Sequence, residues 1–428
     1  MAKVITIDDD VVKLKVEDEI SYPEGGYGWV IVMASFMVHV IAIGIPTTFG
    51  VFQPIYKEST SYEGSHATLA IAFIGSSAVS GLGLFSIPSG RMVDLFGHRL
   101  MGVIGGVIIT VSLLLASFSN QYWQIILTQG VLFGMGCAIA YFPALTIIAH
   151  YFSARKGMAT GFAVAGSGVG GLALAPILRY ALANIGQAAT LRWMALISGV
   201  IVIACSFVFK PRLPPAARDD MNYSEIIHDS KFIRMYIMSI VGSVGYFIPF
   251  FFIPAFALQN GMSQSDGALI VGLLNGASGI GRIFMGFCAD RFGHINMLLI
   301  CVTVGSLSIL LIWPFATTFP LLTTFALTYG FFMGGYISLL PTAIVQLFGT
   351  KNIASIIGLI YSGSFFGNLF GTPAAGAMLD ALTTTVDGIR KTNFTPSIML
   401  SGFCILFSGI LMLTLKLTVG KGKLFARV

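Results

Sequence analysis

The chain has 428 residues, of which 56% are hydrophobic and only 10% are charged. A soluble domain carries about 25% charged residues, so this composition excludes a soluble enzyme or a soluble nucleic-acid-binding protein and indicates a chain that folds in a lipid bilayer. The net charge of +6 comes from Lys and Arg residues in short loops and tails, where it reports membrane topology rather than a nucleic-acid partner.

Long apolar runs recur along the chain, and each is close to the length of about 20 residues that a membrane-spanning helix needs. We identify six runs before and six after a polar link rich in proline. The pattern predicts an all-α membrane protein with twelve transmembrane helices in two pseudo-symmetric six-helix bundles. The runs lie near residues 27–51, 67–89, 100–118, 122–144, 157–182, 192–209, 234–258, 266–287, 295–314, 319–342, 352–376 and 395–417.

The positions of the basic residues predict how the chain lies in the membrane. Most of the 24 Lys and Arg residues fall in loops that are cytoplasmic if the N-terminus is inside, so we expect both termini in the cytoplasm. We expect the plasma membrane rather than an internal one. The predicted parts are a disordered cytoplasmic tail at 1–22, a first bundle at 23–209, a cytoplasmic linker at 210–233, a second bundle at 234–417 and a basic cytoplasmic tail at 418–428.

The first apolar run opens with a glycine-rich and aromatic hexamer. The glycines permit close backbone approach, and the aromatic rings are typical of anchors at the headgroup level of a membrane. His39 follows in the same run. Its reference pKa near 6.5 makes it a candidate proton relay, although a lone histidine in a helix is more often a packing residue. The hexamer consists of Glu24, Gly25, Gly26, Tyr27, Gly28 and Trp29.

The stretch Gly90–Leu100, between the second and third runs, combines glycines with charges at a helix boundary. A weaker copy appears at Gly286–His294, as expected for two homologous halves. We predict that the two stretches form a conformational latch, closed in one state and open in the other; the alternative is an ordinary solvated turn. The candidate latch residues are Gly90, Arg91, Asp94, Gly97, Arg99, Asp290 and Arg291.

The first of these stretches resembles the signature loop of the major facilitator superfamily of transporters, which lies in the cytoplasm. A further motif, Tyr151–Gly161, contains paired basic residues that include Arg155, and the glycine-rich segment Ala165–Gly170 follows it. Together with the opening hexamer, this motif resembles the two signatures of the monocarboxylate transporter family, and the chain is most similar to fungal members. The resemblance extends over residues 22–417. It implies a secondary transporter that works by alternating access.

The same resemblance implies where the transported molecule binds. In family members that carry lactate with a proton, a lysine follows a proline late in the first helix, and an aspartate precedes an arginine by four residues in the eighth. The matching positions here are Thr47, Ser278 and Arg282. The arginine is therefore retained, whereas the lysine and the aspartate of the lactate-type mechanism are absent.

Arg282 is the main ionisable residue well inside an apolar run. A charge there is expensive, so we expect it to face the bundle interior as an anchor for a carboxylate, or else to pair with Asp290 and reach toward the cytoplasmic face. Residues three to four apart share a helix face, so Asn275, Ser278 and Arg282 form a polar stripe. The candidate substrate-binding residues are Arg282, Ser278, Asn275, Thr47, Tyr246, Tyr336 and Asn368.

We therefore expect a carrier of a small, monocarboxylate-like organic anion, with proton symport. One alternative is a carrier of the same fold for a neutral or larger metabolite, such as a vitamin like riboflavin or a polyol; another is a membrane sensor that does not transport. No motif predicts an enzyme, a metal site, a cofactor or a nucleic-acid partner. The expected partners are a small-molecule substrate, protons and the lipid bilayer, and an accessory membrane subunit is left open.

Overall fold

The computed structural model of the protein describes residues 24–52, 56, 67–212, 223–386 and 389–422. The predicted tail at 1–22 lies outside these residues, and the linker at 210–233 and the tail at 418–428 lie partly outside them.

Twelve membrane helices follow one another along the described chain, with a short surface helix, Tyr223–His228, between the sixth and the seventh. Those of the first half are α1 (Tyr27–Thr47), α2 (Ala67–Leu84 and Ser86–Phe96), α3 (His98–Ala116), α4 (Tyr122–His150), and α5 and α6, which together cover Lys156–Val208 and meet at Gly186. Those of the second half are α7 (Ser230–Gln259), α8 (Gln264–Phe292), α9 (His294–Phe315), α10 (Phe319–Phe348), α11 (Ile353–Ala381) and α12 (Thr395–Val419).

The predicted number of spans is confirmed. Ten helical segments of the described chain are long and apolar enough to cross a membrane. The 53-residue segment among them counts as two helices because Gly186, at φ 78°, interrupts it, and α2 supplies the remaining span.

The stretches predicted as loops around Asp94 and Asp290 are mostly helical. α2 continues to Phe96 and α8 to Phe292, and a single glycine then connects each helix to the next one. Gly97 and Gly293 have φ values of 86° and 97°, a conformation in which a Cβ atom is strained. The tight turn is therefore one residue long in both halves, and the charged residues project from helix ends.

A small antiparallel hairpin, β1 (Thr383–Val386) with β2 (Ile389–Thr392), lies between α11 and α12 and departs from the predicted all-helical chain. Its first strand is a run of β-branched residues, which favour the extended conformation. The side chain of Gln259 at the end of α7 accepts from the Thr392 amide at 2.8 Å and donates to the Thr392 carbonyl at 2.7 Å. These two bonds attach the hairpin to α7.

The first helix of each half breaks where a proline removes a backbone donor. α1 is interrupted at Ile43, just before Pro46, and α7 at Phe247, just before Pro249. The carbonyl of Tyr246 at the second break accepts from the Tyr329 hydroxyl at 2.6 Å. α10 also contains a proline, Pro341, but it remains one continuous helix.

Small residues let helices of the two halves approach each other closely. A Cβ atom on Gly90 of α2 would overlap the Ala354 carbonyl of α11, and one on Gly157 of α5 would lie 2.8 Å from Asp290 Oδ1 of α8. Both contacts lie at the end of the bundle that carries Gly97 and Gly293, which we call the signature end. Close packing between small residues is a main source of helix association in lipid.

We predict that Gly166→Ala destabilises the fold whereas Gly276→Ala does not. A Cβ atom at position 166 would overlap the Phe36 carbonyl of α1, and overpacking of this kind costs about 1–3 kcal/mol. Gly276 has no atom within 4 Å of a built Cβ, and alanine is the better helix former. Thermal unfolding in detergent should show a Tm several degrees lower for the first variant and an unchanged or higher Tm for the second. Equal Tm values would contradict the close α1–α5 crossing.

Candidate functional site

A cavity of about 130 Å³ lies at the centre of the molecule, where helices of both halves converge. It adjoins the breaks in α1 and α7, since Ile43, Pro46 and Phe247 form part of its wall. Six of the seven residues predicted to bind substrate line it, namely Thr47, Tyr246, Asn275, Arg282, Tyr336 and Asn368. The seventh, Ser278, is buried beside them and does not line the cavity.

Arg282 is 6% exposed and points from α8 toward α5 of the other half. Its Nη1 donates to the Val164 carbonyl at 2.9 Å and to the Ser167 hydroxyl. Its Nε has no hydrogen-bond partner among the described residues. The guanidinium thus bridges the two halves, and its Nε donor is unpaired within the described chain.

The alternative pairing of Arg282 with Asp290 is wrong. The Asp290 carboxylate accepts from the amides of Gly157 and Met158 at 2.7 and 2.9 Å, and His294 lies 3.4 Å from it. Within the described part of the chain, no carboxylate lies within 4 Å of Arg282. A buried guanidinium without a carboxylate partner is unusual, because the charge pays its desolvation cost without compensation from a counter-ion.

The predicted polar stripe on α8 is only partly directed at the cavity. Asn275 lines the cavity, and its amide nitrogen donates to the Val271 carbonyl at 3.0 Å. Ser278 packs under α10, where its backbone would meet a Cβ atom on Gly334. Its hydroxyl is buried and has no hydrogen-bond partner among the described residues. The stripe therefore provides one cavity-lining amide, one buried hydroxyl and one cation.

Aromatic rings of the second half form the opposite wall. Tyr246 and Tyr336 lie with ring centroids 6.3 Å apart, and Tyr246 also contacts the ring of Phe250 at 5.5 Å. Gly242 leaves room for the Tyr336 hydroxyl, which would lie 3.1 Å from a Cβ atom there. Further along the wall, Asn368 Oδ1 is buried and has no partner among the described residues. Aromatic faces beside polar groups suit an organic molecule with an apolar body and a polar head.

Thr47, at the position of the family's lysine, provides no charge. Its hydroxyl donates to the Gly44 carbonyl at 2.8 Å, so the side chain caps its own helix turn. Ser167, whose hydroxyl accepts from Arg282, was not among the candidate residues. It belongs to the glycine-rich segment 165–170, so the signal was present, but its partner lies 115 residues away in the chain.

A second, open cavity of about 1160 Å³ adjoins the central one. Thr47, Phe250 and Asn275 contribute to the walls of both cavities. The larger cavity extends away from the signature end along α5 and α8 to Arg179. Its walls are mainly apolar, with leucine, phenylalanine and proline side chains. The central site is therefore approached from the end opposite to the signature end.

At the signature end, two aspartates cross between the halves in matching ways. Asp94 of α2 accepts from the Ser355 amide at 2.7 Å and from the Ser355 hydroxyl at 2.5 Å, at the start of α11. Asp290 of α8 accepts from two amides at the start of α5. Each carboxylate thus satisfies free N–H groups at a helix N-terminus, where the helix dipole also favours negative charge.

The basic residues of the same stretches have other partners. The Arg99 guanidinium lies 4.7 Å from the centre of the Phe207 ring on α6. Arg291 stacks in the same way on Phe287, at 4.5 Å. Arg91 is the basic residue whose charge acts on Asp94.

The opening hexamer contacts the second signature motif instead of serving only as a membrane anchor. The Glu24 carboxylate accepts from the amides of Ser153, Ala154 and Arg155 at 2.7, 2.6 and 3.2 Å, just before α5 begins. The Trp29 ring meets the Phe152 ring edge-on at 5.3 Å. The two segments, far apart in sequence, thus form one structure at the signature end.

The remaining residues of the hexamer have separate tasks. Gly26 has φ 57° at the start of α1, and a Cβ atom on Gly28 would lie 2.9 Å from the Phe152 ring. The Tyr27 hydroxyl donates to the Val208 carbonyl at 2.7 Å. A Cβ atom added to Gly25 would have no neighbour within 4 Å, so packing does not explain why glycine occupies this position.

Comparison with known proteins identifies the family. The family model of the Major Facilitator Superfamily matches residues 28–372 and, in an overlapping second match, residues 235–425. The MFS-type transporter pynF of Aspergillus niger is 32% identical over 358 residues, which are 82% of this chain and 82% of that protein.

Two further relatives carry more specific names. The Aspyridones efflux protein apdF of Emericella nidulans is 29% identical over 86% of this chain and 75% of its own length. Monocarboxylate transporter 10 of Danio rerio is 27% identical over the same two shares. Among solved structures, the human organic anion transporter MFSD10 superposes with a TM-score of 0.70 over 91% of this chain and 100% of that chain, at 15% identity, which shows a likeness of fold.

The matched regions cover the twelve helices, both signature stretches and the central cavity. They confirm the fold and the resemblance predicted from the sequence motifs. The chain belongs to the Major Facilitator Superfamily of membrane transporters.

Proposed function

We propose that the protein is a secondary transporter that moves a small organic anion across the plasma membrane by alternating access, together with a proton. Arg282 is the anchor for the anion, and the central cavity is the binding site. The observation that carries this proposal is the burial of Arg282 between the halves with no carboxylate within 4 Å among the described residues.

The charge of Arg282 supports an anionic substrate. A carboxylate at the guanidinium would supply the missing counter-ion and accept from Nε, which has no protein partner in the described chain. Charge-assisted bonds of this kind contribute about 1.5–3 kcal/mol each. The aromatic wall formed by Tyr246 and Tyr336 suits the apolar body of the same molecule.

The contacts at the signature end support a latch. With the termini in the cytoplasm, as the positive-inside rule predicts, this end faces the cytoplasm and the larger cavity faces outward. Asp94 and Asp290 then hold the cytoplasmic side closed, because each carboxylate joins one half to a helix N-terminus of the other. In the opposite state these bonds break and the halves separate at this end.

A second candidate is a carrier of a larger or neutral metabolite, including one that exports its substrate. Its support is the apolar cavity of about 1160 Å³, which is far larger than a monocarboxylate needs. Thr47 and Ser278, in place of the charged residues of lactate carriers, favour it as well. The similarity to a fungal protein named for metabolite efflux is consistent with this alternative.

We predict that Arg282→Gln lowers carboxylate uptake at least about tenfold, because it removes a charge-assisted bond of about 1.5–3 kcal/mol. The assay is uptake into proteoliposomes of labelled carboxylates and of neutral metabolites, each with and without an inward proton gradient. The matched control is Arg192→Gln, which removes the same charge from an exposed side chain stacked on Phe118. Uptake of a neutral compound that survives Arg282→Gln would favour the second candidate.

We predict that Asp94→Asn and Asp290→Asn each slow turnover severalfold while the apparent substrate affinity stays within about twofold. Each loses a charged contact to a helix N-terminus, worth about 0.5–2 kcal/mol, outside the binding site. Initial rates over a range of substrate concentrations separate the two parameters. Asp266→Asn is the control, because Asp266 bonds Ser263 within its own helix start at the other end of α8. Normal turnover of both latch variants would refute the latch.

A further inference from the structure

We propose that His39 is the proton-binding residue of this carrier and that its protonation is coupled to anion binding through Arg282. The inference rests on the proposed anion transport and names the site of the coupled proton. It starts from a buried imidazole nitrogen on α1 that has no partner in the described part of the chain.

The hydrogen bonds of His39 fix the role of each ring nitrogen. The residue is fully buried, and Nδ1 lies 2.7 Å from the Ser35 carbonyl oxygen. A carbonyl only accepts, so Nδ1 carries the hydrogen, and the lone pair of the neutral ring is on Nε2. Among the described residues Nε2 has no hydrogen-bond partner. An unpaired buried polar atom costs about 1–3 kcal/mol, and Nδ1 of His98 at the signature end is also unpaired among the described residues.

The groups that face His39 come from three helices. From α4, the Tyr141 ring meets the imidazole edge-on with centroids 4.9 Å apart, and from α11 the Tyr361 ring lies 6.2 Å behind Tyr141. From α8, the positive charge of Arg282 acts on the imidazole. The stretch 157–178 of α5, which packs along α1, contains no titratable side chain. His150, at the end of α4, meets the His98 ring edge-on with centroids 4.8 Å apart.

Tyr141 connects this imidazole to the transport site. Its side chain lines the central cavity and also touches the His39 ring. A proton from the cavity reaches Nε2 past Tyr141 and converts the ring to an imidazolium, with both nitrogens then carrying a hydrogen. A hydrated proton in the cavity is the donor, so one O–H bond breaks as the N–H bond forms.

Arg282 makes this proton depend on the anion. When no anion is bound, burial of the ring and, to a lesser degree, repulsion from the guanidinium keep His39 neutral. A carboxylate bound at Arg282 cancels that repulsion, and His39 then takes up one proton. With the anion and the proton bound, the site carries the same net charge as it does without them. The carrier can therefore reorient in either condition without moving extra charge. By linkage, protonation of His39 raises the affinity for the anion by the same factor.

His39 also provides a titratable group where the sequence lacks those of lactate carriers. The lysine and the aspartate of lactate carriers are replaced here by Thr47 and Ser278, which do not titrate. Of the described side chains that line the central cavity or touch those that line it, His39 is the one with a reference pKa near neutrality. The cation that it senses, Arg282, is retained from the family pattern.

The test uses the full-length protein in proteoliposomes, with labelled lactate, pyruvate and benzoate as probes. Wild type should show uptake driven by an inward proton gradient and also gradient-independent exchange of labelled for unlabelled anion. His39→Gln keeps an amide donor for Ser35 but cannot be protonated, so exchange should persist while stimulation by the gradient is lost. The control His228→Gln, at an exposed histidine, should behave as wild type.

The outcomes separate this inference from the proposed function. If wild type moves none of the probes, the anion proposal fails. If wild type is proton-driven and His39→Gln retains full gradient stimulation, His39 is not the proton site and the anion proposal stands. If His39→Gln does not fold, the pH dependence of anion affinity in the wild-type protein tests the inference. Anion affinity should rise up to tenfold per unit of falling pH across the range in which one group titrates, and affinity independent of pH from 5.5 to 7.5 would overturn the inference.

Discussion

The contact of a carboxylate with the N-terminus of a helix organises this transporter. The start of α5 receives two such contacts, from Glu24 of its own half and from Asp290 of the other half. The start of α11 receives Asp94. In a bilayer, the free N–H groups at a helix end must find partners, and the negative charges satisfy them while they lie at the positive end of the helix dipole. The two aspartate contacts join the halves at the signature end.

Glycine makes these contacts geometrically possible. Gly90 and Gly286 let α2 and α8 lie directly against backbone of the opposite half, so that the aspartates four residues later reach the helix starts. The proline breaks in α1 and α7 lie away from the signature end, where they border the central cavity. The tightly packed end and the hollow centre are thus produced by two residue types that helices normally avoid.

The sequence was sufficient to predict the features that a single segment carries. Apolar runs predicted the twelve spans, and the rarity of charge in them pointed to Arg282. Five other candidate residues, chosen for their polar or aromatic side chains or through the family resemblance, line the same cavity. It did not reveal partners that lie far apart in the chain. Ser355 is 261 residues from Asp94, and Ser167 is 115 residues from Arg282, so no local pattern links them.

Local predictions failed where tertiary packing overrode a local preference. The stretch after Gly90 contains the turn signals of a loop, yet it stays helical to Phe96, because the helix packs against α11 and only Gly97 needs an unusual conformation. Pro341 leaves α10 continuous, whereas Pro249 interrupts α7. The hairpin at Thr383–Thr392 was missed because a short β-branched segment after a helix gives a weak signal, and its bonds to Gln259 come from a distant helix.

The bonds of Arg282 to Val164 and Ser167 have a consequence for the coupling between substrate binding and reorientation of the two halves. In the empty protein, this side chain ties α8 to α5, the same helices that Asp290 joins at the signature end. Under the proposed function, a movement that separates α8 from α5 would displace the side chain that anchors the anion. Binding and reorientation would then depend on the same guanidinium.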